Sequence, residues 1–284
     1  MRTVTLPNGT ALPALGLGTW HTGESQRSRA AEVKAVRLAI ELGVRLFDTA
    51  EMYGEGGAEE MLGQALAEAL RAGDVRREEL TIVSKVYPHN ASLKGLPQAC
   101  ERSLQRLGLE RIDLYLLHWP GSHPLRDTVA AFEALQARGR ITHWGVSNFD
   151  TDDMKALWRV PGGEACAVNQ VYYSLSQRGI EFDLVPWQRA RRVPLMAYCP
   201  IDQGALALEP ELKPLAQRVG ATPAQLALAW LLQRGDVIAI PKAVRESHLL
   251  ENVAAATIEL DAATLAALDA LFPPPQGKEA LAIV

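Results

Sequence analysis

Four side chains in this sequence could together perform chemistry: Asp48, Tyr53, Lys85 and His118. A free tyrosine, with a pKa near 10, is a poor acid and a worse base at neutral pH. An ammonium beside it stabilises the phenolate and lowers that value, and Lys85 can supply the ammonium. Asp48 can keep Lys85 charged and oriented. A neutral imidazole at His118 can donate a hydrogen bond to a substrate oxygen. The set describes a site that polarises a carbonyl and holds a tuned proton donor. No activated serine or cysteine and no metal-ligand cluster accompanies it. The electrons must then come from a bound partner, and hydride from a nicotinamide fits. A Schiff-base aldolase using Lys85 as nucleophile is the alternative on the same residues.

Asp48 closes a short apolar run, 44–49, and Tyr53 sits in the glycine-rich loop beyond it, with Gly54, Gly56 and Gly57. Lys85 lies near the end of a second run, 80–86, and His118 ends a third, 112–118. Further β-rich runs at 15–20, 141–147, 166–172, 193–198 and 237–241 bring the candidate strands to eight. Amphipathic stretches at 32–42, 59–70, 96–107, 128–137 and 152–158 fall between them. Strands alternating with helices imply right-handed βαβ units and a parallel sheet. Eight such units predict an α/β fold, a (β/α)8 TIM barrel. In that barrel all strand ends of one polarity share a face, so the four residues converge. Thr222-Pro223-Ala224-Gln225 predicts a capped helix start for 224–233. Residues 3–14 read as an N-terminal β-hairpin capping the bottom, with Asn8-Gly9 favouring a type I′ turn. A last amphipathic stretch, 261–271, precedes Pro273-Pro274-Pro275. No linker or charge block divides the chain, and one domain over 1–284 is expected.

With 48% hydrophobic and 22% charged residues, the chain has the composition of an ordinary soluble enzyme. A net charge of -4 offers no footprint for nucleic acid. No apolar run is long enough for a membrane helix. The first residues lack the apolar core of a signal peptide, and a cytoplasmic protein is expected. Cys100, Cys166 and Cys199 are odd in number and far apart, predicting buried thiols and neither disulfide nor metal. No G-x-G-x-x-G joins a strand to a helix, so a dinucleotide would bind without the Rossmann fingerprint.

The whole chain resembles the aldo-keto reductases. The resemblance rests on Gly16-Leu17-Gly18-Thr19-Trp20, Asp48-Thr49-Ala50-Glu51-Met52-Tyr53-Gly54, Ser84-Lys85, Asp113-Leu114-Tyr115-Leu116-Leu117-His118-Trp119-Pro120, Gly145-Val146-Ser147-Asn148, Asn169-Gln170 and Ile240-Pro241-Lys242. Any one of these is weak, whereas all of them in order are specific. Lys85-Val86-Tyr87-Pro88 and the short tail at Gly277-Lys278 are similar to the bacterial branch that reduces methylglyoxal and other small aldehydes. The resemblance implies NADPH-dependent carbonyl reduction by a monomer. It makes Tyr53 the proton donor, Lys85 and Asp48 the groups that lower its pKa, and His118 the residue that orients the carbonyl. Ser147, Asn148 and Gln170 would bond the nicotinamide carboxamide, and Tyr198 would stack on its ring. Lys242 would meet the adenosine 2′-phosphate, with Glu251 and Asn252 at the adenine.

Three positions depart from the family pattern: Cys199 replaces a common serine beside Tyr198, with little expected effect, and the other two bear on the cofactor. Ala243 stands where a serine is usual, and His248 where an arginine is usual. An imidazole grips phosphate less well than a guanidinium. Arg245 is the compensating cation, and NADPH is expected to outbind NADH by a reduced margin. Trp20, Tyr87 and Trp119 are expected to wall the substrate pocket. The segment after His118 and the tail after Pro275 are short, predicting no large lid and broad specificity. Taken singly, these residues have plainer readings. Asp48 with Lys85 is an ion pair, Trp144 is packing, and His89, His123 and His143 are surface or structural. A nucleotide-binding sensor or regulatory subunit on the same fold is the other rival, and the intact four-residue set argues against it.

Overall fold

In the computed structural model, which describes residues 2–284, the chain opens with a hairpin of β1 (Thr3–Thr5) and β2 (Ala11–Pro13). Its turn is not type I′. The Gly9 amide donates to the Leu6 carbonyl, Leu6 in turn donates to Thr10, and Gly9 alone is left-handed, at φ +90°. Pro7 fixes a negative φ at the first central position, which a type I′ turn forbids. A type I turn followed by a glycine bulge results. Asn8 approaches His143 near the start of β7 (Ile141–Ser147), and Arg2 donates to Leu232, at the end of the helix leading into β10 (Val237–Ala239). Both partners mark the N-terminal ends of barrel strands, so the hairpin covers the bottom as expected.

Eight parallel strands follow: β3 (Leu17–Gly18), β4 (Leu46–Asp48), β5 (Thr81–Val86), β6 (Ile112–Leu117), β7, β8 (Asn169–Tyr172), β9 (Leu195–Tyr198) and β10, each paired with the next. The sheet closes because Ala239 donates to Ala14, and Gly16 and Gly18 donate to Ala239 and Pro241. Around it run α1 (Gln26–Glu41), α2 (Gly57–Ala72), α3 (Gly95–Leu107), α4 (Leu125–Ala137), α5 (Thr151–Trp158), α6 (Leu184–Arg189), α7 (Ala205–Leu208), α8 (Leu212–Arg218), α9 (Pro223–Leu232), α10 (Glu246–Ala255) and α11 (Ala262–Leu271). Thr222 caps α9 in the expected reciprocal pair with Gln225. Residues 166–168, read from the sequence as strand, lie outside β8, and α1 starts six residues before its predicted onset, capped by Ser25.

Register decides which side chains point inward. Asp48 pairs with Val83, so Lys85, two residues on, faces the same interior one step nearer the top. Leu116 pairs with Lys85, and His118 continues that file. Gly145 pairs with Leu116, which turns Ser147 inward, and Ser147 pairs with Gln170. Gln170 pairs with Met196, and Tyr198 follows two residues later. One parity, carried strand to strand by backbone hydrogen bonds, gathers side chains separated by up to 150 residues in the chain. Below them Leu46, Val83, Leu114 and Met196 are buried, and Trp144 is packing as expected, stacked on Phe132 between sheet and helices.

Candidate active site

The file of inward residues opens into a cavity of about 780 Å³ at the C-terminal end of the strands. Lys85 anchors its floor. Its ammonium donates to Asp48 Oδ2 at 2.7 Å, to the Thr49 carbonyl at 2.9 Å and to Tyr53 Oη at 3.0 Å. An ammonium has three protons, and all three are placed. The side chain is fully buried, so each contact acts in a dry surrounding. Burial draws the Lys85 pKa down, but the charge of Asp48 and the phenol of Tyr53 more than offset it, and the net direction is up. Lys85 is held as a cation. Asp48 Oδ1 accepts from the Gln170 amide at 2.7 Å, so neither carboxylate oxygen lacks a partner.

Burial pushes the Tyr53 phenol above its ordinary value, and Lys85 opposes that rise. Asp48, being negative, adds to the rise. This corrects the expectation that Lys85 and Asp48 both lower the phenol. Lys85 restrains a rise driven by desolvation, and Asp48 serves by holding Lys85. The His118 ring meets Tyr53 edge-on at 5.7 Å between centroids. Burial, then the Lys85 charge, push its pKa down to about 2. The imidazole is therefore neutral at any working pH. Its Nδ1 is buried with no hydrogen-bond partner among the described residues. A Schiff base at Lys85 would require that lysine to leave all three acceptors, which argues against the aldolase reading.

Beside the floor, Ser147 Oγ donates to the Gln170 carbonyl at 2.9 Å. Asn148, left-handed at φ +57°, donates through its amide to the His118 carbonyl and accepts from Tyr198 Oη at 2.8 Å. Gln170 thus supports Asp48 as well as lining the cavity, a link that spacing alone could not reveal. At the other end the walls are Lys242, Arg245, His248, Glu251 and Asn252, from the β10 exit and the start of α10. None of the three basic groups carries an ion pair among the described residues.

Trp20 and Trp119 line the cavity as expected, but Tyr87 does not. It packs edge-on behind Trp119, at 5.9 Å, and stacks on His89. Cys100 and Cys166 are buried, whereas Cys199 is half-buried on the cavity wall, so the reading of three buried thiols holds for two. The sequence also gave no sign of His21, Met52 or the 199–208 segment as wall residues. That segment carries three left-handed non-glycine residues, Cys199, Asp202 and Gln203. Asp202 holds it by accepting from Tyr172 and Ser176. The tail is short, but it returns to the mouth. Lys278 bonds Asp152 at 2.9 Å, Leu281 packs on the core, and Val284 joins the cavity wall.

The model of the aldo/keto reductase family matches residues 14–272, and the chain belongs to that family. Among its relatives, the methylglyoxal reductase YeaE of Escherichia coli is 47% identical, with 96% of each chain covered. The glyoxal reductase of Bacillus subtilis is 34% identical, covering 95% of this chain and 92% of its own. An aldo-keto reductase from Klebsiella pneumoniae, solved in complex with NADPH, superposes with a TM-score of 0.94 at 48% identity, covering 100% of this chain and 99% of its own. No described helix is long and apolar enough to cross a membrane.

Proposed function

We propose that this protein reduces small uncharged aldehydes and ketones of the methylglyoxal kind to alcohols, using NADPH. The observation that carries the reading is the triple coordination of Lys85, which presents Tyr53 Oη at 3.0 Å beside a neutral His118 at the cavity floor. A small aldehyde alone would not need a cavity of about 780 Å³ with a polar floor at one end and three basic side chains at the other. A dinucleotide suits that shape and those donors. Ser147, Asn148 and Gln170 would hold the carboxamide, Tyr198 the ring, Lys242, Arg245 and His248 the 2′-phosphate, and Glu251 with Asn252 the adenine. When bound, the reduced nicotinamide supplies the hydride.

The protein's own residues govern the proton. His118 donates a hydrogen bond to the substrate oxygen, which fixes the carbonyl and draws its electrons toward oxygen. Tyr53 gives its proton to that oxygen as charge develops there. Lys85 stabilises the phenolate left behind, and Asp48 keeps Lys85 in place. Trp20, Trp119, Met52 and Val284 give the substrate end apolar walls, and among the described residues the cation nearest to it is Lys85, buried beneath the floor with all three protons already assigned. A carboxylate-bearing aldehyde would meet no counter-charge, so uncharged carbonyls are preferred.

The test is consumption of NADPH with methylglyoxal and with an aromatic aldehyde, for the native protein and for Tyr53→Phe. Loss of about 10²- to 10⁴-fold in kcat is expected from removing the proton donor. Turnover that survives the substitution would sink the role given to Tyr53. Bound NADPH without turnover of any aldehyde would favour the sensor reading. The same proposal takes the chain as one domain, monomeric and cytoplasmic.

A further inference from the structure

Directly after Tyr53 the backbone is left-handed at three consecutive residues, Gly54 (φ +57°), Glu55 (φ +52°) and Gly56 (φ +93°). The two glycines adopt it freely, and Glu55 alone is strained, a conformation that persists only where its surroundings hold it. Gly54 packs against the Gly23 backbone, and at Gly56 the surroundings lead to one carboxylate. Glu59, in the first turn of α2, is fully buried and takes no part in the chemistry described above. It accepts from Ser84 Oγ at 2.5 Å and from Arg106 Nε at 2.6 Å. Ser84 is the residue before Lys85 and points outward where Lys85 points in. The Arg106 stem lies against Gly56 so closely that a Cβ there would come within 2.6 Å of Cδ. Gly63, one turn along α2, lets the helix meet α3, since a Cβ there would come within 2.6 Å of the Arg106 carbonyl. One carboxylate therefore ties the strand carrying Lys85 to the strained loop carrying Tyr53.

We propose that Glu59, through Ser84 and Arg106, is a positioning residue that sets the separation between Tyr53 Oη and Lys85 Nζ. The inference rests on the proposed reductase reading, with Tyr53 as acid. Loosening the clamp lets Tyr53 move from the ammonium, which weakens the acid and raises the pH at which it loses its proton.

The experiment compares native protein, Tyr53→Phe, Glu59→Gln, Arg106→Gln and the double variant, by kcat against pH and by NADPH affinity from fluorescence quenching. Each clamp variant should lose about tenfold in kcat. Its alkaline limb should move upward by roughly half to one pH unit. NADPH affinity should change by less than about twofold, and the double variant should be no worse than the poorer single one, as expected for groups acting as a unit. Arg106 is partly exposed, so Arg106→Gln carries the test if Glu59→Gln fails to fold. A fall in kcat with the alkaline limb unmoved, or losses that add in the double variant, would overturn the clamp while leaving the reductase reading intact. An inactive native protein, or an active Tyr53→Phe, would instead overturn that reading and the clamp with it.

Discussion

The two ends of the cavity are built in opposite ways. At the floor, Lys85 and Asp48 are buried, all three Lys85 protons and both Asp48 carboxylate oxygens have partners, and those partners come from β4, β5, β8 and the loop after β4. At the far end, Lys242 and Arg245 are exposed, His248 is half-buried, and none of their basic side chains forms an ion pair among the described residues. A proton donor must be held to fractions of an ångström before substrate arrives, because loose geometry is lost rate. A phosphate-binding end can be ordered by the ligand, since charge attracts over longer range and exposed cations cost little to keep ready. Stability and chemistry are coupled at the floor and separable at the rim.

The largest test of that contrast is Lys85→Met. It leaves Asp48 buried with the Gln170 amide as its remaining side-chain partner. Breaking a buried pair in this way should cost about 3–5 kcal/mol of stability, read from urea unfolding. Adding Asp48→Asn should recover part of that loss, although activity stays absent. A single variant as stable as the native protein would show the floor to be as loosely coupled as the rim. His118 offers a second test. Unfolded, its imidazole takes a proton below about pH 6.5, whereas folded it resists until about 2. Between those values the unfolded state holds the extra proton, so stability falls as pH is lowered through that window, by up to about 1.4 kcal/mol per unit. His118→Gln should flatten this slope, measured as the change in urea midpoint between about pH 7 and about pH 5. An unchanged slope would mean that the acid sensitivity lies elsewhere.

The contrast also explains what could be read from the sequence. Asp48, Lys85 and His118 were legible because barrel strands are short apolar runs and each residue stands at the end of one. Parallel pairing then guarantees that they meet. Trp20 and Trp119 were legible for the same reason. Tyr87 was misplaced because the residue after a strand can turn either way, and here it backs Trp119. The turn at Gly9 differs in type because Pro7, part of the same Pro-Asn-Gly signal, fixes a negative φ that overrides the Asn-Gly preference. His21 and the 199–204 part of the wall left no periodic signal, being loop residues whose side-chain directions come from left-handed backbone, and α7 beyond them is a single turn. Glu59 opens the amphipathic stretch 59–70, whose pattern carries no sign that this carboxylate is buried. Its burial follows from packing against α3 at Gly63, a contact between elements that no local pattern encodes.

The smallest effects belong to the rim, and they test whether its three basic residues form one phosphate site. Lys242→Ala should weaken NADPH binding about tenfold, the worth of one charged contact, and leave NADH unchanged. His248→Arg should act in reverse and more weakly. A guanidinium is always charged and bonds phosphate through two parallel donors, whereas the native imidazole offers one donor when neutral. NADPH affinity should rise roughly threefold, NADH affinity should stay the same, and the salt dependence of NADPH binding should steepen. Calorimetric titration of both cofactors into both proteins at two salt concentrations separates these outcomes. Equal gains for NADH and NADPH would place His248 at a part of the cofactor the two share. No gain with either would mean that α10 presents only a general positive rim, with Lys242 and Arg245 carrying the selectivity.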